Sequence, residues 1–298
     1  MESTRRTFLT VAAGLAGAAA LRSEPPDLKF PTDPRARVAV ASYPFREFIN
    51  KSGAGGVDLL DFAQMVVDRY NIDNIEPLSW HFKSTEPAYV DNLRKRVEQA
   101  GSHVVDIPCD VRPSIGSPDA AAAQKALATA KKWVDVAVAL NSPSIRVHIE
   151  PVNGGEPDLN HTADQLNALV DYSSFKGVVI NLENDDPRSE DAAFLVKILK
   201  KLDNVYARAL PDFCNSRIKG DDEYNYNALR SLFPLAYNIS HVKDAEVDGK
   251  RVVRTDPVKI FGIAREAGYK GWFSMEFEGE GDPYEGTRKL IEISVNNM

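Results

Sequence analysis

Short β-branched runs alternate with longer amphipathic segments about eight times between Arg37 and the C-terminus. Several runs are apolar at nearly every residue, as Val178-Val179-Ile180 is, which is typical of strands covered on both faces. Such strict alternation indicates a parallel sheet with crossover helices. The eight predicted strands are Val38–Tyr43, Asn74–Pro77, His103–Ile107, Ser144–Ile149, Gly177–Leu182, Val205–Leu210, Ile239–Val242 and Trp272–Phe277.

Eight strand–helix units in about 260 residues match the size of a closed barrel. We therefore predict an α/β fold, a parallel eight-stranded (β/α)8 TIM barrel, as a single domain over residues 37–298. The alternative is an open doubly wound sheet, but that fold usually has fewer units and a glycine-rich first turn, which Ser42-Tyr43-Pro44-Phe45 lacks. The Asp248-Gly249 pair predicts a small hairpin over residues 245–253, after the seventh strand.

The first residues differ in character from the rest of the chain. Arg5-Arg6 precedes Phe8, Leu9 and a weakly apolar run ending at Leu21, which is too short to span a bilayer stably. This pattern predicts a twin-arginine signal peptide over residues 1–23, followed by a proline-rich linker over 24–36. We expect export to the periplasm or the cell exterior and no stable membrane insertion. A disordered terminus with a chance arginine pair is the alternative.

Composition excludes some classes of protein. The chain has 36 Lys and Arg against 43 Asp and Glu, a net charge of −7, which argues against nucleic acid as a partner because phosphate binding needs a cationic surface. With only two cysteines, Cys109 and Cys214, no disulfide framework holds the fold. We expect two free thiols, although one bridge between them stays open.

Acidic and imidazole groups are concentrated where the predicted strands end. In a barrel of this kind, those positions converge on one mouth. So many charged groups need a cation nearby to remain ionised together. The residues are Glu76, Asp106, Asp110, His148, Glu150, Glu183, Asp212, His241, Glu276 and Glu278.

Four of these residues follow four successive strands. Glu183, Asp212, His241 and Glu276 are separated by 29, 29 and 35 residues, which is one strand–helix unit each. Three carboxylates and one imidazole form an oxygen and nitrogen set suited to one Mn²⁺, Mg²⁺, Co²⁺ or Zn²⁺ ion. The sequence therefore predicts a divalent-metal site.

The segments around these residues resemble the xylose-isomerase-like barrel superfamily, which includes sugar isomerases, ketose 3-epimerases, inosose dehydratases and an apurinic-endonuclease branch. The resemblance covers essentially the whole chain after the signal segment and is strongest from the fifth strand onward. It implies that Glu183, Asp212, His241 and Glu276 bind the metal, and that Glu183 and Glu276 exchange protons with the substrate carbon beside the carbonyl. The segments are Asn181–Asn184, Pro211-Asp212, Ile239–Asp244 and Gly268–Glu276.

Two departures narrow the expected substrate. The endonuclease branch has a histidine three residues after the sixth-strand aspartate, where this chain has Asn215. The loop that often binds phosphate in barrels carries the acidic run 278–282, whose carboxylates would repel a phosphate. We therefore expect an unphosphorylated carbohydrate.

The expected activity is a metal-dependent sugar isomerase or epimerase that abstracts a proton next to a carbonyl, through an enediolate. Glu183 and Glu276 are the expected catalytic carboxylates, and His148 either replaces one of them or polarises a substrate oxygen. The other expected substrate contacts are Lys243, Arg146, Glu76, Trp80 and His81. For Lys243 and Arg146, a simple salt bridge to a mouth carboxylate is the alternative.

Two other functions remain open. A lyase or hydratase acting on keto-sugars or keto-glycosides would begin with the same proton abstraction and then expel a leaving group. A non-catalytic carbohydrate-binding barrel would need neither an exchangeable metal nor a proton-transfer pair. Self-association of the chain is also left open, because no motif encodes it.

Overall fold

The computed structural model describes residues 24, 26–51, 55–149, 158–186 and 189–298. The predicted closed barrel of eight parallel strands is confirmed. Its strands are β1 (Val38–Ala41), β2 (Asn74–Glu76), a third barrel strand in two pieces, β3 (His103–Val104) and β4 (Pro108–Cys109), then β5 (Ser144–Val147), β6 (Val179–Glu183), β7 (Ala207–Leu210), β8 (Ile239–Val242) and β11 (Trp272–Met275). The predicted hairpin after β8 is also present, as β9 (Ala245–Asp248) and β10 (Arg251–Arg254).

The third barrel strand changes partner halfway along. Its first piece, β3, pairs with β2, and its second piece, β4, pairs with β5. Pro108 has no backbone N–H, so it cannot donate to a ladder at this point. Between the pieces lies Asp106, fully buried, whose carboxylate accepts from Asn181 Nδ2 at 3.0 Å and contacts the Ser144 hydroxyl.

The barrel closes in two places that set the geometry of its mouth. β1 pairs with β11 in parallel, with Val38 opposite Phe273 and Val40 opposite Met275. β7 and β8 are joined by two isolated bridges, Ala209 to Ala236 and Asp212 to His241. At the second bridge, His241 N donates to Pro211 O and Phe213 N donates to His241 O, both at 3.1 Å. The backbone hydrogen bonds that close the barrel therefore also hold Asp212 beside His241.

Eight helices surround the barrel in the described part of the chain. Seven of them begin at an aspartate whose side chain accepts a backbone N–H of the first turn, which satisfies a donor that would otherwise have no partner. The exception begins after Glu86 with Pro87 at its first position. The helices are α1 (Leu59–Tyr70), α2 (Pro87–Gln99), α3 (Ala120–Ala139), α4 (Leu159–Ser174), α5 (Ala192–Leu202), α6 (Asp222–Leu232), α7 (Pro257–Glu266) and α8 (Pro283–Asn297).

The segment before β1 lies against the end of the barrel opposite the mouth. Phe30 makes edge contacts with Tyr237 and Trp272, at ring centroid distances of 5.6 and 5.1 Å. The predicted signal peptide, residues 1–23, lies outside the described residues. Within the described residues no helix is both long and apolar enough to cross a membrane. Cys109 and Cys214 are free, buried thiols.

Candidate active site

Four predicted ligands meet at the C-terminal mouth of the barrel. Glu183 ends β6, Asp212 follows β7, His241 lies in β8 and Glu276 follows β11. Each offers a ligand atom within 4.8 Å of the others, and all four side chains are buried. The spacing of one strand–helix unit per ligand therefore brings the four groups together as the sequence predicts.

His241 lies at the centre of this cluster. Its Nδ1 atom is 2.9 Å from Glu183 Oε1 and 3.4 Å from Glu276 Oε2. Burial alone would lower the pKa of His241, but the carboxylates of Glu276, Glu76 and Glu183 outweigh burial and raise it well above its usual value. In this arrangement the imidazolium supplies one of the positive charges that hold the carboxylates together.

Asp212 has one satisfied and one unsatisfied carboxylate oxygen. Oδ1 accepts the backbone N–H groups of Cys214 at 2.8 Å and Asn215 at 2.7 Å. Oδ2 is buried and has no hydrogen-bond partner, although Lys243 Nζ lies 3.7 Å away. Burial raises the pKa of Asp212 to about 7, against the attraction of Lys243. A buried carboxylate oxygen without a hydrogen bond is available to bind a cation.

Two cationic side chains, Lys243 and Arg146, form ion pairs with carboxylates of the cluster. Lys243 Nζ lies 3.3 Å from Glu276 Oε2 and 3.0 Å from Glu246 Oε2, and Arg146 Nε lies 3.1 Å from Glu183 Oε2. Burial would raise the pKa of Glu276, but His241, Lys243 and Arg146 lower it below its usual value. Both carboxylates predicted to move protons therefore have a cationic partner.

Glu76 lies behind the cluster and is fully buried. Its Oε1 atom is 2.9 Å from His241 Nε2, on the side of the ring opposite Glu183. A carboxylate in this position fixes the orientation and tautomer of a metal-binding histidine. Its placement suits an interaction with His241 better than the substrate contact expected from the sequence.

His148 belongs to a second charged group at the mouth. Its Nδ1 atom lies 3.1 Å from both oxygens of Glu190, and its Nε2 atom lies 3.1 Å from Asp110 Oδ1 and 3.6 Å from Asp185 Oδ2. Nε2 also contacts Arg146. Burial and Arg146 oppose protonation, but Glu190 and Asp110 raise the pKa of His148 to about 10.

The two ring-bearing residues predicted to contact substrate follow β2. Trp80 is 49% exposed, and its ring centroid lies 4.1 Å from that of His81, which is buried. Phe45, by contrast, is fully buried and packs on Phe62 and Tyr284, so it belongs to the core.

Some residues of the site could not be identified from a motif in the sequence. Glu190 is seven residues beyond Glu183, in a loop without a motif, yet it accepts the Ile149 N–H at 2.8 Å as well as His148. Glu246 opens the hairpin and reaches back to Lys243. Asn215 links Glu183 to Lys243, since its Nδ2 donates to Glu183 and its Oδ1 accepts from Lys243. Glu150 lies outside the described residues.

Several solved structures share this fold over most of their length. D-allulose 3-epimerase from Methylomonas sp. is 15% identical to this chain. Their superposition has a TM-score of 0.70 and covers 91% of this chain and 99% of the epimerase. The 3-keto-D-glucoside 4-epimerase from E. coli is 14% identical, with a TM-score of 0.67 covering 87% and 99%. A xylose isomerase-like barrel from Mycobacterium smegmatis, in complex with magnesium, is 16% identical, with a TM-score of 0.65 covering 88% and 97%.

No curated protein matches the sequence. The profile of one protein family does match it, over residues 52–295, and the match includes every strand after β1 and all four clustered residues. This chain therefore belongs to the xylose isomerase-like TIM barrel family.

Proposed function

We propose that this protein is a divalent-metal-dependent sugar epimerase or isomerase acting on an unphosphorylated carbohydrate. The observation that carries the proposal is the position of Glu183 and Glu276, two buried carboxylates from the fifth and eighth barrel strands, which lie 2.9 and 3.4 Å from the same atom, His241 Nδ1. A pair of carboxylates around one substrate carbon can take a proton from one face and return it to the other. Fold relatives named as ketose and keto-glucoside epimerases support this choice of reaction.

The residues present fit a divalent cation. It would be held by Glu183, Asp212, His241 and Glu276. Among the atoms of these residues, Asp212 Oδ2 is a buried oxygen that has no hydrogen-bond partner and is therefore available to a cation. A bound cation would supply Lewis acidity, lowering the pKa of the C–H bond next to a substrate carbonyl. The proton transfer itself is assigned to the protein carboxylates.

Each carboxylate must be ionised before it can accept a proton. Lys243 and His241 keep Glu276 ionised by lowering its pKa, and Arg146 pairs with Glu183 at 3.1 Å. In one direction of the reaction, one carboxylate accepts the C–H proton and leaves the substrate as its enediolate. The other carboxylate, which must enter that turnover protonated, donates its proton to the opposite face, so that the two carboxylates exchange protonation states. His148 is cationic near neutral pH because its pKa is raised, and it would donate to a substrate oxygen through Nε2 in place of Asp110 Oδ1.

Hydrogen exchange tests this function directly. The Mn²⁺-reconstituted enzyme should exchange the α-hydrogen of an unphosphorylated ketose, keto-glycoside or inosose with D₂O. Glu276→Gln should reduce that exchange at least a thousandfold, because the amide cannot accept the proton. Glu280→Gln, an exposed residue on the same loop, is the matched control. Because Glu183 could still exchange the hydrogen of one epimer, Glu276→Gln is assayed with both epimers, and undiminished exchange of both would show the two-carboxylate mechanism to be wrong.

The same screen distinguishes the other candidates. A lyase or hydratase would release a leaving group, and the products would then contain an unsaturated sugar. A non-catalytic carbohydrate-binding barrel would bind the sugars without any exchange. Less than about half an equivalent of metal after Mn²⁺ reconstitution would contradict the metal-enzyme proposal.

We also propose export by the twin-arginine route, on the strength of Arg5-Arg6 and the apolar run that follows. Cell fractionation of the full chain should recover the protein outside the cytoplasm. Replacing both arginines by lysine should retain it in the cytoplasm, and unchanged fractionation of that variant would contradict the proposal.

A further inference from the structure

The Lys243 ammonium group lies among the predicted metal ligands. Its Nζ atom is 3.3 Å from Glu276 Oε2 and 3.7 Å from Asp212 Oδ2. The lysine side chain is only 7% exposed, so its charge needs partners within the protein. A divalent cation held by Asp212 and Glu276 would bring charge of the same sign to the same two oxygens. The lysine and the cation therefore compete for one pair of carboxylates.

Lys243 also has two acceptors outside the ligand set. Its Nζ atom lies 3.0 Å from Glu246 Oε2 and 3.2 Å from Asn215 Oδ1. A lysine ammonium has three N–H donors. It can therefore give up its contact with Glu276 and still keep two hydrogen bonds, one of them to a carboxylate.

Both of these acceptors are oriented by hydrogen bonds of their own. Glu246 Oε1 accepts the Val247 N–H at 3.1 Å, which leaves Oε2 facing Lys243. Asn215 Nδ2 donates to Glu183 Oε1 at 3.3 Å, which turns Asn215 Oδ1 towards the ammonium. The Glu246 side chain is 12% exposed, so salt screens its pair with Lys243 only weakly. The fold therefore provides the ammonium with a position that needs no metal ligand.

Glu246 differs from Asn215 in carrying a negative charge. Among the described residues, Glu246 is the one carboxylate paired with Lys243 that is not itself a predicted metal ligand. Removing the counter-charge of a buried ammonium is strongly unfavourable. When the charges of Asp212 and Glu276 are balanced by a bound cation, Glu246 is the counter-charge left to the lysine.

The hairpin of β9 and β10 supplies this carboxylate. Glu246 is the second residue of β9 and is paired with Val253 of β10, which is buried. Arg251 Nη1 donates to Ile218 O at 3.2 Å, which connects the hairpin to the loop after β7. The hairpin thus holds Glu246 beside Lys243, three residues earlier in the chain, and its insertion after β8 places a carboxylate next to the site.

We propose that Glu246 is a positioning residue for the metal site, which holds the Lys243 ammonium away from the metal ligands when a divalent cation binds. In this role Glu246 contacts neither metal nor substrate and acts only through Lys243. The ammonium stays beside the cluster, so its charge still favours an ionised Glu276. The inference rests on the proposed metal site but can fail separately, because metal binding that is unaffected by Glu246 would contradict this inference alone.

Metal affinity in a double-mutant cycle tests the proposal. Glu246→Gln should weaken Mn²⁺ binding at least tenfold, measured by competition with a chromogenic chelator, because the ammonium then keeps its place at Glu276. In the Lys243→Met background the same replacement should change the affinity less than twofold, since no ammonium remains to be held. Asp248→Asn, an exposed carboxylate of the same hairpin, is the matched control and should bind Mn²⁺ like the unmodified protein.

The cycle separates this role from two others. A direct electrostatic effect of Glu246 on the metal would give the same loss in both backgrounds, and a general disturbance of the hairpin would also persist without Lys243. Equal losses in the two backgrounds therefore overturn the proposal, and so does unchanged affinity in Glu246→Gln. If the unmodified protein binds no Mn²⁺, the proposed metal site fails, and this role of Glu246 fails with it.

A crystal structure of the unmodified protein with Mg²⁺ measures the position of the ammonium directly. Lys243 Nζ should remain within hydrogen-bond distance of Glu246 Oε2 and should lie farther than 3.3 Å from Glu276 Oε2. An ammonium that stays at Glu276, or that leaves Glu246 for solvent, would contradict the proposal.

Discussion

Glu76 Oε1 lies 2.9 Å from His241 Nε2, and both side chains are fully buried. Because the other ring nitrogen of His241 faces Glu183 and Glu276, the Glu76 contact would leave Nδ1 free to bind the proposed metal and would keep the hydrogen on Nε2. The orientation of the His241 ring is thus set by a residue of the second barrel strand.

Glu76→Gln should weaken metal binding about 10–100-fold, the usual effect of removing an outer partner of a metal-binding histidine. Mn²⁺ affinity measured by competition with a chromogenic chelator checks this. Glu86→Gln, whose side chain is 75% exposed, should bind Mn²⁺ like the unmodified protein. Equal affinity in Glu76→Gln would mean that His241 is oriented by the backbone alone.

Lys243→Met should have the opposite effect on metal affinity. The ammonium group lies 3.3 Å from Glu276 Oε2 and 3.7 Å from Asp212 Oδ2, so it repels a cation bound to the same carboxylates. Its removal should tighten Mn²⁺ binding at least tenfold, about 1.4 kcal/mol. Turnover should fall at the same time, since Glu276 loses a partner that keeps it ionised.

The chelator titration also measures this effect, with turnover measured separately at saturating Mn²⁺. Lys259→Met, on the exposed face of α7, is a control for the loss of a lysine charge. Weaker metal binding in Lys243→Met would indicate that the lysine supports the ligand set instead of competing with the metal.

Metal removal should lower thermal stability. A ligand that binds only the folded state at a hundred times its dissociation constant stabilises by about 2.7 kcal/mol, which corresponds to about 5 °C in Tm for a chain of this size. Dialysis against EDTA should cause that decrease and added Mn²⁺ should reverse it, as followed by circular dichroism. Asp212→Asn should show no Mn²⁺-dependent change in Tm, because it loses the buried oxygen that lacks a hydrogen bond.

His81 should make the fold less stable in mild acid. Its pKa is about 4 in the folded state, below its usual value of about 6.5. Between those values the unfolded chain binds a proton that the folded chain does not, so the free energy of unfolding falls as the pH falls from 6.5 towards 4. The contribution of this one group is about 2 kcal/mol between pH 7 and pH 4.5.

Urea unfolding at the two pH values, with unmodified protein and His81→Gln, measures that contribution. The loss of stability on acidification should be smaller in the variant, because glutamine does not titrate. An equal loss in both proteins would show that His81 takes up its proton without penalty.

The barrel and the clustering of the four predicted ligands could be predicted from the sequence because both depend on periodic features. Buried parallel strands are apolar along their whole length, and Glu183, Asp212, His241 and Glu276 recur once per repeat at the strand ends. The role of Glu76 was not predictable, since the strand-end pattern is the same for a residue facing the substrate and for one lying behind a ligand.

Contacts made by loop residues were even less predictable from the sequence. Glu190 reaches His148 from a loop with no motif, and Ser42 fixes His81 from a different strand. The break in the third strand could not be predicted either, because it depends on which neighbour each half pairs with.

Two glycines provide a test of packing, one at the base of the barrel and one inside α7. A Cβ on Gly271 would lie 2.6 Å from the backbone carbonyl atoms of Asn238, and the carbonyl of Gly271 also accepts from Arg37. Gly271→Ala should therefore destabilise the protein by about 1–3 kcal/mol, as overpacking does.

A Cβ on Gly262, inside α7, would meet only the Arg265 guanidinium, at 3.9 Å. Gly262→Ala should stabilise by up to about 1 kcal/mol, the helix preference for alanine. Urea unfolding of both variants at pH 7 should give changes of opposite sign, and a neutral Gly271→Ala would mean that β8 and β11 can separate at no cost.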